Sequence, residues 1–343
     1  MHLGKLGQAL VAREIFDLIQ DDLDQVEKKI TAESVASVEA VTAIGQYLQS
    51  SGGKRLRPAL LLLSAKLAAE AKSPAAPNGH PGDTAVQLGA VVELIHGATL
   101  LHDDVIDTAE TRRGRPSTNV KWGNHTCVLA GDWLYMQAFQ IALRERNFQI
   151  LDLLIGLTQM MVEGELLQLE RIGRIDVSEP DCMELVDRKT ACLFSVCARL
   201  GALASHGDAP VQERLGEYAW NLGMAFQLVD DVLDFTAREK TLGKPVGGDL
   251  REGKVTLPLV YALECASPAE RGLVETILRQ RNYDEVPFAR ILALLEKYRG
   301  IERVRERAQA FTDKARAIIS EFPESAYQRA LLAVTELVTE RDH

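Results

Sequence analysis

The chain has little cysteine, no long uninterrupted apolar run and a shortage of positive charge, and each scarcity closes off a class of protein. The five cysteines, at 127, 182, 192, 197 and 265, form no C-x-x-C pair. That argues against a zinc or dithiol site and for reduced core thiols in a cytoplasmic protein. No run of about 18 uncharged apolar residues occurs, so no transmembrane segment is expected. The N-terminus, MHLGKLGQALVAREIFDLIQDDL, has early acids and no apolar stretch ending in small residues, unlike a secretory signal. With 39 Lys and Arg against 49 Asp and Glu, the net charge is −10. A nucleic-acid partner would want a basic face. The same charge would repel an anionic substrate unless cations are concentrated locally.

What the chain does have is leucine, alanine and helical periodicity. Hydrophobic residues fill 46% of the 343 positions, enough for a large core, and no strand-like alternation persists. The pattern predicts an all-α protein, a single-domain helical bundle over 1–343. Helices are expected within 1–50 and at about 58–72, 84–107, 126–144, 147–171, 179–205 and 211–235, with a helical remainder from 255. A Pro/Gly-rich surface loop is expected at 72–83 and a turn-rich connection at 112–125.

Two acidic motifs end two of these helices. Residues 103–116 read DDVIDTAETRRGRP and residues 230–245 read DDVLDFTAREKTLGKP. Positions i and i+4 share a helix face about 6 Å apart. Asp103 therefore points with Asp107, and Asp230 with Asp234, while Asp104 and Asp231 sit one step round. Each cluster adjoins apolar sequence (ATLLHDDVID, AFQLVDDVLD), where uncompensated carboxylates are expensive. Oxygen-only donor sets of this kind suit a hard cation such as Mg²⁺, which takes one or two carboxylates plus water and substrate phosphates.

Three groups of cations match what such metals would hold. GGKRLRP supplies Lys54, Arg55 and Arg57, RRGRP supplies Arg112, Arg113 and Arg115, and Lys189, Lys244 and Lys254 come later. Arginine forks and lysine point charges are the usual grip on phosphate oxygens. Acids for metal and bases for phosphate, side by side, imply a ligand with several phosphates, which resolves the conflict with net charge.

At this point the chain resembles the trans-isoprenyl diphosphate synthase (polyprenyl synthetase) family. The likeness is carried, in order, by GGKRLRP, HDDVID…RRGRP, EGELLQLE, KTACLF, FQLVDDVLD and GKPVGGDLREGKVTLP, spanning about residues 50–260. The resemblance implies an isoprenoid synthase fold with a central cavity, a homodimer, and Mg²⁺-dependent head-to-tail condensation of isopentenyl diphosphate onto an allylic diphosphate. It implies three Mg²⁺ ions in the substrate-bound site. Lys54, Arg57, His96 and Arg113 match positions for isopentenyl diphosphate. Arg112, Lys189, Thr190, Gln227, Lys244 and Lys254 match positions for the allylic diphosphate. Asp103, Asp107 and Asp230 match the leading metal ligands, with Asp104, Asp231 and Asp234 in support. Gln168 and Asp249 match motif positions without a firm role.

In this family a bulky aromatic four or five residues before the first motif closes the product tunnel early. Here those positions are Thr99 and Ala98, and HGATLLHDDVID is most similar to synthases making heptaprenyl to decaprenyl chains for quinones. A geranylgeranyl or farnesyl product stays open, with Tyr135 and Phe139 as candidates for the tunnel floor. A terpene cyclase would not need the second diphosphate site, and a non-catalytic subunit of a heteromeric synthase would lack the aspartates present here. Glu93 and His96 form a single E-x-x-H, half of a di-iron pattern whose second half is absent. A long product would favour peripheral membrane association for its release.

Overall fold

The computed structural model describes residues 14–53, 55–72, 83–236 and 246–339. The expected loop at 72–83 falls almost wholly outside them, as do Lys54 and Lys244. The elements are α1 (Gln20–Glu33), α2 (Glu39–Ser50), α3 (Leu56–Lys72), α4 (Asp83–Ile106), α5 (Thr118–Trp122), α6 (Asn124–Arg144), α7 (Phe148–Arg171), α8 (Glu179–Val186), α9 (Cys192–Ala204) and α10 (Ala209–Thr236). They continue with α11 (Gly248–Arg251), α12 (Leu257–Leu263), α13 (Pro268–Gln280), α14 (Phe288–Lys297), α15 (Gly300–Ser320) and α16 (Ala326–Thr339). The all-α expectation holds, and the silent C-terminal stretch resolves into five of these helices, α12 to α16.

The chain groups into two compact units: Met1–Thr158 with Phe194–Ala219 and Arg316–Leu337, and Gln159–Leu193 with Trp220–Ala315 and Val338–His343. In the first, α4 packs on α6, α3 and α1. Helix α4 is long and apolar enough to cross a membrane, yet Ala85, Leu88, Ala90, Val91, Val92, Ile95, Ala98 and Leu101 all lie in the core. A helix apolar on nearly every side is one that neighbours surround. Small residues permit this: a Cβ on Gly89 would sit 2.9 Å from Val26 Cγ2. Lys66 and Asp22, both nearly inaccessible, pair at 2.8 Å between α3 and α1, so neither charge is left alone in the interior.

In the second unit α12, buried along its whole length, packs on α8 and α14. Two helices start on capping boxes, Ser178 with Asp181 and Ser267 with Glu270, each with proline in the first turn.

Three local expectations change. The helix expected at 179–205 is broken by a π-helical turn over Asp187–Ala191. The connection at 112–125 contains a two-residue β-hairpin, β1 (Thr111–Arg112) and β2 (Arg115–Pro116), and the short α5. Of the five free cysteines, Cys265 is exposed and the other four are buried.

Candidate active site

In the first unit the acid motif closes α4. Asp107 lies just past the helix end, but its N–H still reaches the Asp103 carbonyl at 2.8 Å, so the two side chains keep their common face. The chain then reverses at Thr108, whose φ of 49° is left-handed and unusual for a β-branched residue. The RRGR segment returns as a hairpin in which Arg112 pairs with Arg115. Its central residues, Arg113 (φ 53°) and Gly114 (φ 73°), both take the positive φ that a type I′ turn demands. Arg113 thus sits at the tip. Tyr47 anchors the other side, stacking on the Arg115 and Lys121 cations at 4.2 and 4.3 Å and donating its hydroxyl to the Pro116 carbonyl at 2.8 Å.

Asp104 is fully buried and accepts from Arg112 Nε at 2.6 Å, Thr118 N at 3.0 Å and Thr118 Oγ1 at 2.7 Å. It therefore ties the helix end to the hairpin. Asp103 and Asp107 remain partly accessible.

His96 lies among Arg55, Arg57, Arg112 and Arg113, and burial together with these cations holds its pKa well below 6.5. It is a neutral imidazole beside four guanidiniums, a basic nest within an acidic protein. Arg57 also lies over the Phe194 ring, 5.8 Å from its centroid. A Cβ on Gly53 would meet Arg113 Nη1 at 3.4 Å, so the glycines of GGKRLRP let that loop approach the hairpin tip. Arg55, at a left-handed φ of 46°, donates to Glu93 at 2.7 Å and is bound by Glu27. The E-x-x-H pattern is thereby accounted for: Glu93 restrains Arg55 while His96 joins the basic group.

Of the four residues singled out for chain length, Ala98 is wholly buried and Thr99 turns its hydroxyl to the His96 carbonyl at 2.8 Å. Tyr135 stacks near His102, centroids 5.9 Å apart, and burial with the Asp103 and Asp132 charges pushes its phenol up to about 12. Phe139 lines a surface concavity of about 520 Å³ with Trp133, Met136, Gln140 and Leu151.

In the second unit Asp230, Asp231 and Asp234 all lie within α10. Asp231 is buried and its pKa is raised well above the ordinary carboxylate value, first by desolvation and then by the repulsion of Asp249, with Asp230 and Asp234 adding. Carboxylates that oppose one another's ionisation are the electrostatic signature of a cation site. Gln227 donates to Asp231 at 2.9 Å and accepts from the Thr190 hydroxyl at 2.7 Å. Lys189 donates to Glu165 at 3.1 Å and to Gln168 at 3.3 Å, and Gln168 in turn donates to Glu165 at 2.8 Å. Gln168, without a role from sequence, thus orients a lysine, and Glu165 is a partner the sequence did not single out. The Asp249 N–H lies 3.2 Å from the Asp234 carboxylate, and Lys254 pairs with Glu252 at 2.8 Å.

Among the described residues no three His, Cys, Asp or Glu side chains already form a closed metal cage. The donor set nonetheless fits Mg²⁺, an oxygen-preferring ion that shares its coordination sphere with water and substrate phosphate rather than relying on a protein cage.

The polyprenyl synthetase family profile matches residues 38–295. The octaprenyl diphosphate synthase of Haemophilus influenzae is 34% identical over 330 residues, covering 96% of this chain and 97% of that one. The short chain isoprenyl diphosphate synthase of Methanothermobacter thermautotrophicus is 34% identical over 336 residues, covering 96% and 99%. Among solved structures, the polyprenyl synthase from Caulobacter crescentus complexed with calcium and isoprenyl diphosphate superposes with a TM-score of 0.89 at 34% identity, covering 97% of this chain and 98% of that one. With both acid motifs and the three groups of cations in the sequence and similarity along almost the whole chain, the protein belongs to the polyprenyl synthetase family and is a trans-prenyltransferase that condenses isopentenyl diphosphate.

Proposed function

We propose that the protein is a long-chain synthase that extends an allylic diphosphate with isopentenyl units to an all-trans heptaprenyl to decaprenyl diphosphate, a quinone side-chain precursor. The observation that carries this reading is Ala98, a small, fully buried residue five positions before Asp103 where a short-chain enzyme would carry bulk. The likeness to an octaprenyl synthase supports it. The short-chain relative at equal identity keeps a geranylgeranyl or farnesyl product as the second reading.

Isopentenyl diphosphate is assigned to Arg57, His96 and Arg113, with Lys54. A neutral His96 donates one hydrogen bond to a phosphate oxygen while the guanidiniums supply the charge. The allylic diphosphate is assigned to Arg112, Lys189 and Lys254, with Lys244, and Thr190 and Gln227 sit beside the reacting carbon. Held at Asp103, Asp107 and Asp230, with Asp104, Asp231 and Asp234 in support, Mg²⁺ would supply charge neutralisation to the departing diphosphate. The allylic C–O bond then ionises to release diphosphate, the isopentenyl double bond attacks the resulting cation, and transfer of a proton to the released diphosphate restores the alkene. The Thr190–Gln227–Asp231 chain of hydrogen bonds fixes two dipoles where positive charge develops, and fixed dipoles there contribute most to rate.

A homodimer is part of the proposal. On α6 Leu129, Met136 and Leu143 repeat every seven residues and are 67%, 63% and 46% exposed, and Phe148 and Ile155 of α7 are 80% and 53% exposed. Apolar stripes of this kind mark interfaces. Reduced thiols support a cytoplasmic location, with a greasy product favouring transient membrane contact.

The test is product sizing. Purified protein is incubated with Mg²⁺, labelled isopentenyl diphosphate and, separately, C5 to C20 allylic primers, and products are dephosphorylated and resolved. A ladder ending at seven to ten isoprene units, abolished by EDTA, is expected. A stop at three or four units overturns the long-chain reading and leaves the condensation chemistry intact. Light scattering on the same sample tests the dimer.

A further inference from the structure

We propose that Trp220, Asp187 and Gly164 are positioning residues: they set the π-helical turn Asp187–Ala191 and through it aim Lys189 and Thr190. The inference rests on the reading that Lys189, Thr190 and Gln227 serve the allylic site.

A π-turn is a poor local solution, rare in helices and concentrated at functional sites. It persists where surrounding contacts over-determine it. Here four consecutive residues are each gripped. Asp187 Oδ1 accepts the indole N–H of Trp220 at 2.6 Å. Arg188 is paired with Glu163 at 2.6 Å and Glu184 at 3.3 Å. Lys189 is held by Glu165 and Gln168, and Thr190 by Gln227.

Two of these grips come from one helix. Trp220 and Gln227 are seven residues apart on α10 and so share a face across two turns. The Trp220 ring is itself fixed edge-on against Phe311, centroids 5.8 Å apart. The other side of the clamp is α7. There Gly164 lies mid-helix, where glycine is unfavourable, and a Cβ on it would come within 2.7 Å of Arg188 Cβ and 3.5 Å of the Arg188 carbonyl carbon. Glycine at 164 therefore lets α7 approach the turn closely enough for Glu163, Glu165 and Gln168 to reach it.

The clamp has a geometric consequence. Relaxing the π-turn to α-helix shifts the register by one residue, and one residue is roughly 100° about a helix axis. Lys189 and Thr190 would leave Glu165 and Gln227 and present other faces. Trp220 and Asp187 touch no substrate in this assignment; they act through the turn.

Steady-state kinetics with farnesyl and isopentenyl diphosphates decide the matter. Trp220→Phe keeps the aromatic packing and loses the donor. It should lower kcat about tenfold or more, as misplacement of catalytic groups does, and leave KM for isopentenyl diphosphate within about twofold. Asp187→Asn keeps an oxygen acceptor and should recover most of the rate, whereas Asp187→Leu should match Trp220→Phe. Gly164→Ala, which crowds the turn from α7, should give the same signature and decides the matter if Trp220→Phe fails to fold. The proposal is overturned if Trp220→Phe and Gly164→Ala keep kcat within about twofold. It is also overturned if the Asn and Leu variants of Asp187 are equally slow, or if kcat falls only together with Tm and a rise in both KM values. Thr190→Ala and Gln227→Ala separate the levels. Normal kinetics in both would sink the allylic assignment itself, whereas slow variants there beside a normal Trp220→Phe sink the clamp alone.

Discussion

Replacing Asp104 by alanine removes three contacts at once: Arg112 Nε at 2.6 Å, Thr118 N at 3.0 Å and Thr118 Oγ1 at 2.7 Å. Breaking a fully buried ion pair costs about 3–5 kcal/mol. The Arg112 side chain is 31% exposed, so water takes over part of its solvation and that figure must be discounted. Thr118 is 2% exposed, and an orphaned N–H there costs about 1–3 kcal/mol with no such relief. A net loss of about 3 kcal/mol follows from these two terms. Urea unfolding of Asp104→Ala, Asp104→Asn, Arg112→Ala and the Asp104→Ala/Arg112→Ala double variant measures it. Asparagine keeps an acceptor for Thr118 and should lose roughly half as much, since only the charge-assisted bond weakens. The double variant should be less destabilised than the sum of the singles, because residues sharing a bond are not additive. If Asp104→Ala lies within about 0.5 kcal/mol of the parent, the range of ordinary surface substitutions, the anchoring role is wrong. A loss of Mg²⁺ affinity at unchanged stability would leave Asp104 with its supporting role at the metal alone.

Three further outcomes are expected. His96 stays neutral when folded, while the unfolded chain takes up a proton below its ordinary value of 6.5. Stability is therefore full above that pH and falls below it, by at most about 1.4 kcal/mol per pH unit, down to the depressed folded pKa. His96→Gln should flatten this limb of a pH–stability curve, and an unchanged limb refutes the assignment. Lys66→Met leaves the Asp22 carboxylate buried without its partner and should cost about 3–5 kcal/mol in urea unfolding, most of it regained in Asp22→Leu/Lys66→Met; equal losses in both variants contradict the pairing argument. Ala98→Phe overpacks a fully buried site, costing about 1–3 kcal/mol, and should shorten the product ladder; an unchanged ladder removes Ala98 from the tunnel.

The helical class was legible because the hydrophobic period is a local property; the capping boxes of Ser178 with Asp181 and Ser267 with Glu270, which the structure shows, are also contacts within four residues. The acid and base residues could be grouped from the sequence for a related reason, since residue type and helical spacing are also local properties. What the spacing did not contain was the division of labour among them. Asp103 and Asp104 are neighbours in sequence, yet one is partly accessible and the other is fully buried under Arg112 and Thr118, because successive helix positions face about 100° apart and the hairpin covers one of them. Glu93, set aside as half of a metal pattern, restrains Arg55 from another helix. The π-turn at Asp187–Ala191 was invisible for the same reason. Nothing in KTACLF disfavours plain α-helix; the turn is held by Trp220 and Gln227 on α10 and by the close approach of Gly164 on α7, residues 24 to 37 positions away from their contacts. Sequence determined the elements and the chemical inventory, through short-range periodicity and side-chain type. Tertiary structure decided which carboxylate is buried under Arg112 and Thr118 and which partners hold Lys189 and Thr190, because burial and long-range hydrogen bonds exist only once the helices have packed.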